Sequence, residues 1–240
     1  GAGPLTITTG NPSAGPYCAG QSMQVPFTIT GAFSSSNVFT AQLSNASGSF
    51  SSPVNIGTLA GNSSGTINAT IPINTPTGSG YRVRVVASNP ATTGSVNTNN
   101  ITINALPTVS YSGTLPAQCV TSTSLNLTTV GTFSPAGGVF SGNGVSNPNF
   151  NASIAGSAAS PHTLTYTVTV NGCSNSATNS IVVNPLPTVT YSGSLPAQCE
   201  TSTTFDLTSS GSVSPVGGTY SGNGVSGTNF NAQTAGVGTH

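Results

Sequence analysis

Formal charge is almost absent from this chain of 240 residues, which contains two Arg, two acidic residues and no Lys. In an ordinary soluble domain about a quarter of the residues are charged. Nucleic-acid binding depends on clustered Lys and Arg that neutralise phosphates, and basic amphipathic helices on membrane surfaces depend on the same residues. The composition therefore argues against a nucleic-acid partner and against a membrane-surface helix.

Tryptophan and long apolar runs are also missing from the chain. No apolar segment approaches the roughly 18 residues that a bilayer-spanning helix needs, so we expect no direct membrane insertion. The absence of Lys excludes Lys–Asn isopeptide crosslinks. The absence of Trp removes one of the aromatic side chains on which sugar-binding sites stack their ligands.

The chain is instead rich in turn residues, with 30 Gly and 17 Pro, and in short segments where apolar and polar residues alternate. This period of two is typical of β-strands with one buried face. Over residues 1–104 it predicts about seven strands, which fits an immunoglobulin-like β-sandwich. The segments are 5–9, 23–29, 39–43, 54–59, 67–71, 81–85 and 101–103.

An internal repeat organises the rest of the chain. Residues 106–152 and 186–232 are identical at 32 of 47 positions, at an offset of 80. A period of this length is typical of a domain repeated in tandem. We therefore predict a second unit over 105–184, a third over 185–240, and an all-β fold of tandem immunoglobulin-like β-sandwich domains.

Short proline-containing linkers join the units, with NALP at 104–107 and NPLP at 184–187. Proline restricts itself and its neighbour to extended conformations, so we expect consecutive units to lie roughly end to end. His240 aligns with His162, so the third copy stops before its last two strands. Either the sequence is a fragment of a longer chain, or a neighbouring subunit donates the missing strands.

Several motifs of the units resemble a known group of repeats. The motifs GG(V/T)(F/Y)SGNGVS, NFNA and HTLTYTVT, followed by a Cys after Asn-Gly, are similar to the PKD-like and Ig-like repeats of very large secreted and surface proteins of Bacteroidota. YCAGQSMQVPFTITG and GYRVRVVASNP in the first domain resemble a companion module of those proteins. The resemblance implies an extracellular or cell-surface location, export by the type IX secretion system, and roles in adhesion, gliding or extracellular fibres.

The four cysteines raise the question of a disulfide. Cys119 and Cys173 lie 54 residues apart within the second unit, and we predict a structural disulfide between them, with two buried free thiols as the alternative. Cys199 is the copy of Cys119 in the third unit. Cys18 has the corresponding place in the first domain but no partner there, and with Gln21 it has the spacing of an internal thioester.

Catalysis and metal binding find little support in the sequence. His162 and His240 would need an orienting acid, but both acids, Glu200 and Asp206, lie in the third unit and align with Val120 and Asn126 in the second. Because no carboxylate is common to the copies, paired-carboxylate catalysis and calcium binding are not predicted. We predict no enzyme activity, no cofactor and no metal site.

The sequence favours a non-enzymatic stalk or fibre segment of an extracellular surface adhesin or appendage. Its expected partners are further repeats of the parent chain and, in a homo-oligomeric fibre, copies of itself. The alternative is a glycan-binding β-sandwich module that contacts surface glycans. The aromatic residues that recur with the repeat, however, are predicted to pack inside the units. They are Tyr111, Phe140, Tyr191 and Tyr220, and Tyr166 shares the core face of its strand.

Overall fold

A computed structural model describes residues 3–13 and 15–240, so residues 1, 2 and 14 of the predicted first domain lie outside the described part. The first unit contains only strands and turns. Its strands are β1 (Thr6–Thr9), β2 (Tyr17–Cys18), β3 (Ser22–Thr30), β4 (Val38–Leu43), β5 (Val54–Ala60), β6 (Gly65–Thr70), β7 (Gly78–Tyr81), β8 (Val83–Ser88), β9 (Ala91–Val96) and β10 (Ile101–Asn104).

Two antiparallel sheets enclose the core of the first unit. One has the strand order β1-β3-β6 and the other β5-β4-β8-β9, while β10 pairs with β7 and, in parallel, with β2. Buried and solvent-facing residues alternate along β3 and β4. Because alternate side chains point to opposite faces of a strand, Met23, Val25, Phe39 and Ala41 meet in one cluster between the sheets.

The predicted all-β fold is confirmed, and seven of the strands match the predicted segments closely. The structure adds three strands to the predicted segments, β2, β7 and β9. β9 (Ala91–Val96) forms a hairpin with β8 at one edge of its sheet. Its sequence, ATTGSV, has no apolar alternation because most of its side chains are at least partly exposed.

The second unit repeats the sandwich with shorter strands and one short helix. Its strands are β11 (Ser110–Ser112), β12 (Gln118–Cys119), β13 (Leu125–Asn126), β14 (Thr132–Ser134), β15 (Val139–Ser141), β16 (Val145–Ser146), β17 (Asn149–Phe150), β18 (His162–Val170), β19 (Cys173–Ile181) and β20 (Val183–Asn184), and its helices are a 3₁₀ turn (Leu127–Thr129) and α1 (Ala152–Ala155).

A long hairpin, β18 with β19, covers one side of the second unit. All nine residues of β18 pair with β19 across the turn at Asn171-Gly172, and Asn171 has the positive φ that a tight hairpin turn requires. Leu164, Tyr166 and Val168 point into the core. There the ring of Tyr166 packs against Phe140, with the ring centroids 4.7 Å apart.

The third unit keeps the first half of this arrangement. It consists of β21 (Thr190–Ser192), β22 (Phe205–Asp206), a 3₁₀ turn (Leu207–Ser209), β23 (Ser212–Ser214), β24 (Val225–Ser226), β25 (Asn229–Phe230) and α2 (Ala232–Ala235). The counterparts of β12 and β15 are not strands in the described third unit. In the second unit these two pair with β20 and β18, whose counterparts would follow His240.

Two tyrosines of the second core give a test of its packing. The hydroxyl of Tyr111 is the one side-chain N or O atom, among the buried atoms of the described residues, that has no hydrogen-bond partner. An unsatisfied buried hydroxyl costs about 1–3 kcal/mol. We therefore expect Tyr111→Phe to raise the free energy of unfolding of the second unit by about 1 kcal/mol, measured by urea denaturation.

Tyr166→Phe is the matched control, because the Tyr166 hydroxyl donates to the Pro135 carbonyl at 2.7 Å and accepts from the Gly138 N–H at 2.8 Å. Its removal should lower the free energy of unfolding by about 1–2 kcal/mol. Equal destabilisation by the two variants would contradict the unsatisfied state of Tyr111.

Candidate functional site

The residues that resemble catalytic groups do not come together. Among the described residues, no three His, Cys, Asp or Glu side chains are close enough to hold a metal ion. His162 is buried at the start of β18, where its Nε2 lies 2.6 Å from the carbonyl of Gly156. His240 repeats this contact at 2.9 Å from Gly236. Each histidine therefore contacts the residue that ends the short helix of its unit, and in the second unit this contact is made by the first residue of β18.

Asp206 has a structural role that its counterpart shares. Its side chain accepts a hydrogen bond from the backbone N–H of Thr208 at 2.9 Å and so caps the 3₁₀ turn. Asn126 makes the same bond to Thr128 at 3.0 Å in the second unit. Since a capping position accepts Asp and Asn equally well, the carboxylate needs no catalytic explanation.

The two arginines are used within the first unit. Arg82 donates to the Asn97 and Thr98 carbonyls at 2.7 Å each. Arg84 donates to the Gln42 side chain at 2.8 Å, and its guanidinium lies 4.5 Å from the centroid of the Phe50 ring. Both guanidinium groups are therefore held by contacts within the first unit and do not form a free anion-binding group.

The predicted disulfide between Cys119 and Cys173 is wrong. Cys173 is bonded to Cys18 of the first unit, with the two Cα atoms 5.6 Å apart, and Cys119 and Cys199 are free. The prediction assumed that both cysteines lie at the same end of the sandwich, and they do not. Cys119 is in register with Asn184, at the far end of β20, whereas Cys173 begins β19.

The length of β19 explains why these two cysteines cannot meet. The strand has nine residues, and an extended strand rises about 3.3 Å per residue. Cys173 and Asn184 are therefore separated by about 30 Å or more, while a disulfide requires Cα atoms within about 7 Å. Cys119 lies beside Asn184, where the linker to the third unit begins, and Cys173 is bonded to the first unit.

The Cys18–Cys173 bond lies at a joint that is also held by hydrogen bonds. Asn104, the last residue of β10, donates from its side chain to the carbonyl of Asn171 in the hairpin turn at 3.3 Å. Asn175 of β19 donates to the carbonyl of Pro107 in the linker at 3.0 Å. The hairpin tip of the second unit thus contacts the end of the first unit and the linker between them.

The internal thioester is also excluded. The sulfur of Cys18 is already bonded to Cys173. The Gln21 side-chain oxygen accepts a hydrogen bond from the Cys18 backbone N–H at 2.9 Å. Gln21 therefore stabilises the turn that presents Cys18 and is not a partner in crosslinking.

The order of the bonded residues along the chain has a mechanical consequence. Cys18 lies near the start of the first unit, and Cys173 lies near the end of the second, 155 residues later. A force applied to the two ends of the chain passes from Cys18 through the disulfide directly to Cys173. Residues 19–172, which include most of both sandwiches, are therefore outside the load-bearing covalent path.

The third unit has an open groove of about 980 Å³. It is lined by the counterparts of second-unit core residues, including Tyr191, Leu195 and Phe230. Tyr191 is 48% exposed, whereas its counterpart Tyr111 is 5% exposed. The groove therefore exposes the counterparts of residues that pack beneath β18 and β19 in the second unit.

The aromatic residues offer no flat sugar-binding platform in the first two units. Tyr111, Phe140 and Tyr166 are buried in the second core, as the sequence predicts. Tyr17 lines a smaller depression of about 390 Å³ in the first unit, but its ring is buried and its hydroxyl donates to the Ser13 carbonyl at 2.7 Å. In the third unit, Tyr191 is exposed only because the core is open.

Comparison with known proteins gives little further information. No family model matches the chain, and no curated protein matches it. Fifteen chains of solved structures match, among them Drosophila OTK, extracellular domains 3–5, with 13% identity and a TM-score of 0.24 over 81% of this chain and 71% of that one. A TM-score this low supports no conclusion about fold or function. Within the described residues, no helix is long and apolar enough to cross a membrane.

The inter-unit bond can be tested by peptide mapping. Non-reducing digestion of protein prepared without reductant should yield a linked peptide pair containing Cys18 and Cys173, with Cys119 and Cys199 alkylated. The Cys18→Ser variant should release Cys173 for alkylation. A linked pair of Cys119 with Cys173 would contradict the structure.

Asp206 gives a pH-dependent prediction for the third unit. Hydrogen bonds from the side chain and backbone of Thr208 lower the pKa of the Asp206 carboxyl below its usual range. A lowered folded-state pKa stabilises the cap at pH values above the ordinary Asp pKa, and this stabilisation is lost as the pH falls through the folded-state value. An NMR titration should give a lower pKa in the folded chain than in urea.

The Asp206→Asn variant, which copies Asn126 of the second unit, should keep the cap and lose its pH dependence. Thr208→Val removes the side-chain donor and should move the Asp206 pKa towards the urea value. An identical pKa in the folded and the urea-unfolded protein would contradict the capping role.

Proposed function

We propose that this chain is a non-enzymatic, load-bearing repeat segment, a stalk or fibre section, of an extracellular bacterial surface adhesin or appendage. The observation that carries the proposal is the disulfide between Cys18 and Cys173, which connects the beginning of one unit to the hairpin tip of the next. A bond in this position contributes to the mechanical continuity of an array. It contributes nothing to a catalytic or ligand-binding site within either unit.

A spacer role is supported by the joint between the first two units, whose contacts restrict their relative motion. The linker between the first two units is short, and hydrogen bonds from Asn104 and Asn175 fix it to the hairpin of the second unit. Ala105 donates from its backbone to the Thr77 hydroxyl at 3.0 Å on the other side. A covalent bond and polar contacts on two sides of the linker make the joint suited to transmit force.

An oxidising, extracytoplasmic location is part of the proposal. Structural disulfides persist in secreted and cell-surface proteins and are rare where thiols are kept reduced. The similarity of the repeat motifs to those of large Bacteroidota surface proteins supports a cell-surface location and export by the type IX secretion system. Adhesion itself is proposed to reside elsewhere in the parent protein.

The low charge of the chain supports close packing of copies in a fibre. Surfaces of Thr, Ser and Asn can pair through hydrogen bonds and short apolar contacts without repulsion between like charges. With four charged side chains in 240 residues, such assembly depends little on ionic strength. Further repeats of the parent chain and copies of the chain are therefore the proposed partners.

Single-molecule stretching of the 240-residue chain tests the load-bearing role. The oxidised protein, pulled from its two ends, should not release the 154 residues between Cys18 and Cys173. After reduction, the same pull should release them, which adds on the order of 500 Å of contour length at about 3.5 Å per residue.

The matched control is the Cys18→Ser variant, which should give the long extension with or without reductant. Cys199→Ser should behave as the unmodified chain, because Cys199 is free. The same extension for the oxidised and the reduced protein would overturn the load-bearing function. Specific, saturable binding of the chain to a defined sugar on a glycan array would instead support the alternative, a glycan-binding module.

A further inference from the structure

Cys119 occupies the same structural position as Cys18. β2, which ends at Cys18, pairs in parallel with the last strand of the first unit, and Cys18 is in register with Asn104. β12, which ends at Cys119, pairs in parallel with the last strand of the second unit, and Cys119 is in register with Asn184. The two cysteines are therefore presented at the same end of their respective units.

The backbone around the two cysteines matches in detail. The residue after each cysteine donates to the asparagine carbonyl of the last strand, Ala19 to Asn104 and Val120 to Asn184, at 2.9 Å in both units. A turn then closes back on the cysteine carbonyl, from Gln21 at 3.0 Å in the first unit and from Ser122 at 2.8 Å in the second.

The groups that receive the hairpin at the first joint recur at the second. At the first joint the Asn104 carbonyl lies 3.9 Å from the Cys173 sulfur, and the Asn104 side chain binds the hairpin turn. Asn184 is the copy of Asn104, and Pro187 is the copy of Pro107, which accepts from Asn175 of the hairpin. Between residues 104–107 and 184–187 the one difference is Pro185 in place of Ala105. Pro185 has no backbone N–H and so needs no acceptor such as the Thr77 hydroxyl, which accepts from Ala105 in the first joint.

The third unit has an open surface on which a hairpin like that of the second unit would pack. Such a hairpin would bring a cysteine to this joint. Its groove of about 980 Å³ has the lining that β18 and β19 cover in the second unit. His240 already makes the contact to Gly236 that His162 makes to Gly156 at the first residue of β18. In the second unit, the cysteine of the hairpin lies eleven residues after that histidine.

We propose that Cys119 forms the next bond of the same type, with the cysteine at the tip of the hairpin that completes the third unit. Each unit would then be linked to the following one, and successive disulfide loops would overlap along the array. This bond goes beyond the proposed function. It depends on the likeness of the second joint to the first and not on the load-bearing role.

The chemistry of the bond is an ordinary thiol oxidation. Cys119 and the hairpin cysteine each lose one hydrogen, and a disulfide such as oxidised glutathione takes up the two electrons and two protons and leaves as two thiols. The Thr121 hydroxyl donates to the Cys119 sulfur at 3.2 Å. The side-chain and backbone hydrogen bonds of Thr121 lower the pKa of the thiol, which favours the thiolate that attacks the oxidant.

The test extends the full chain by the hairpin it would receive. A copy of residues 163–184 is appended after His240, and the protein is oxidised with glutathione and mapped without reduction. We expect a linked peptide pair of Cys119 with the appended copy of Cys173, loss of Cys119 alkylation, and retained alkylation of Cys199. A matched protein in which the appended cysteine is Ser should leave Cys119 fully alkylated.

Four results would overturn the proposal. One is a bond from the appended cysteine to Cys199, and another is a linked pair that joins two molecules when labelled and unlabelled protein are mixed. The third is continued alkylation of Cys119 in the protein with the appended cysteine, when the matched Ser-containing hairpin protects the third unit from proteolysis. Failure of the hairpin to protect the third unit would also count against the proposal, because the bond requires its docking. None of these results affects the stretching test of Cys18–Cys173.

Discussion

The hairpin formed by β18 and β19 is the element on which the rest of the array depends. Its inner face supplies Leu164, Tyr166 and Ile181 to the core of the second unit, and its tip carries Cys173 to the first unit. The same element therefore closes one sandwich and connects two. Leu115 of the second unit is 6% exposed, whereas its counterpart Leu195 in the third unit is 42% exposed.

This double use of the hairpin couples the stability of a unit to the integrity of the array. Strand β19 has nine residues in register with β18, so its tip reaches the neighbouring unit while the rest of the strand stays paired. The core contacts of the hairpin fix the position of the turn, and the turn fixes the position of the cysteine. A covalent joint then forms between segments that are far apart in the chain, without a long linker.

The scarcity of charge fits the same design. The two arginines are satisfied by carbonyls, an amide side chain and an aromatic ring within the first unit, and Asp206 caps a turn. The joint between the first two units is therefore held by a disulfide, by asparagine side chains and by backbone groups, and not by ion pairs. Such contacts are insensitive to the ionic strength of the surroundings.

The sequence by itself determined the positions of strands with one apolar, buried face, such as β3, β4 and β18. In these strands apolar and polar residues alternate, and the apolar ones face the core. The sequence also determined the repeat. It did not indicate β9, an edge strand whose side chains are largely exposed. The tertiary structure alone decided the cysteine pairing. Cys119 and Cys173 belong to one unit, but Cys119 is in register with Asn184, beyond the far end of the nine-residue strand that Cys173 begins. Cys18 and Cys173 meet because the hairpin tip of the second unit contacts the end of the first.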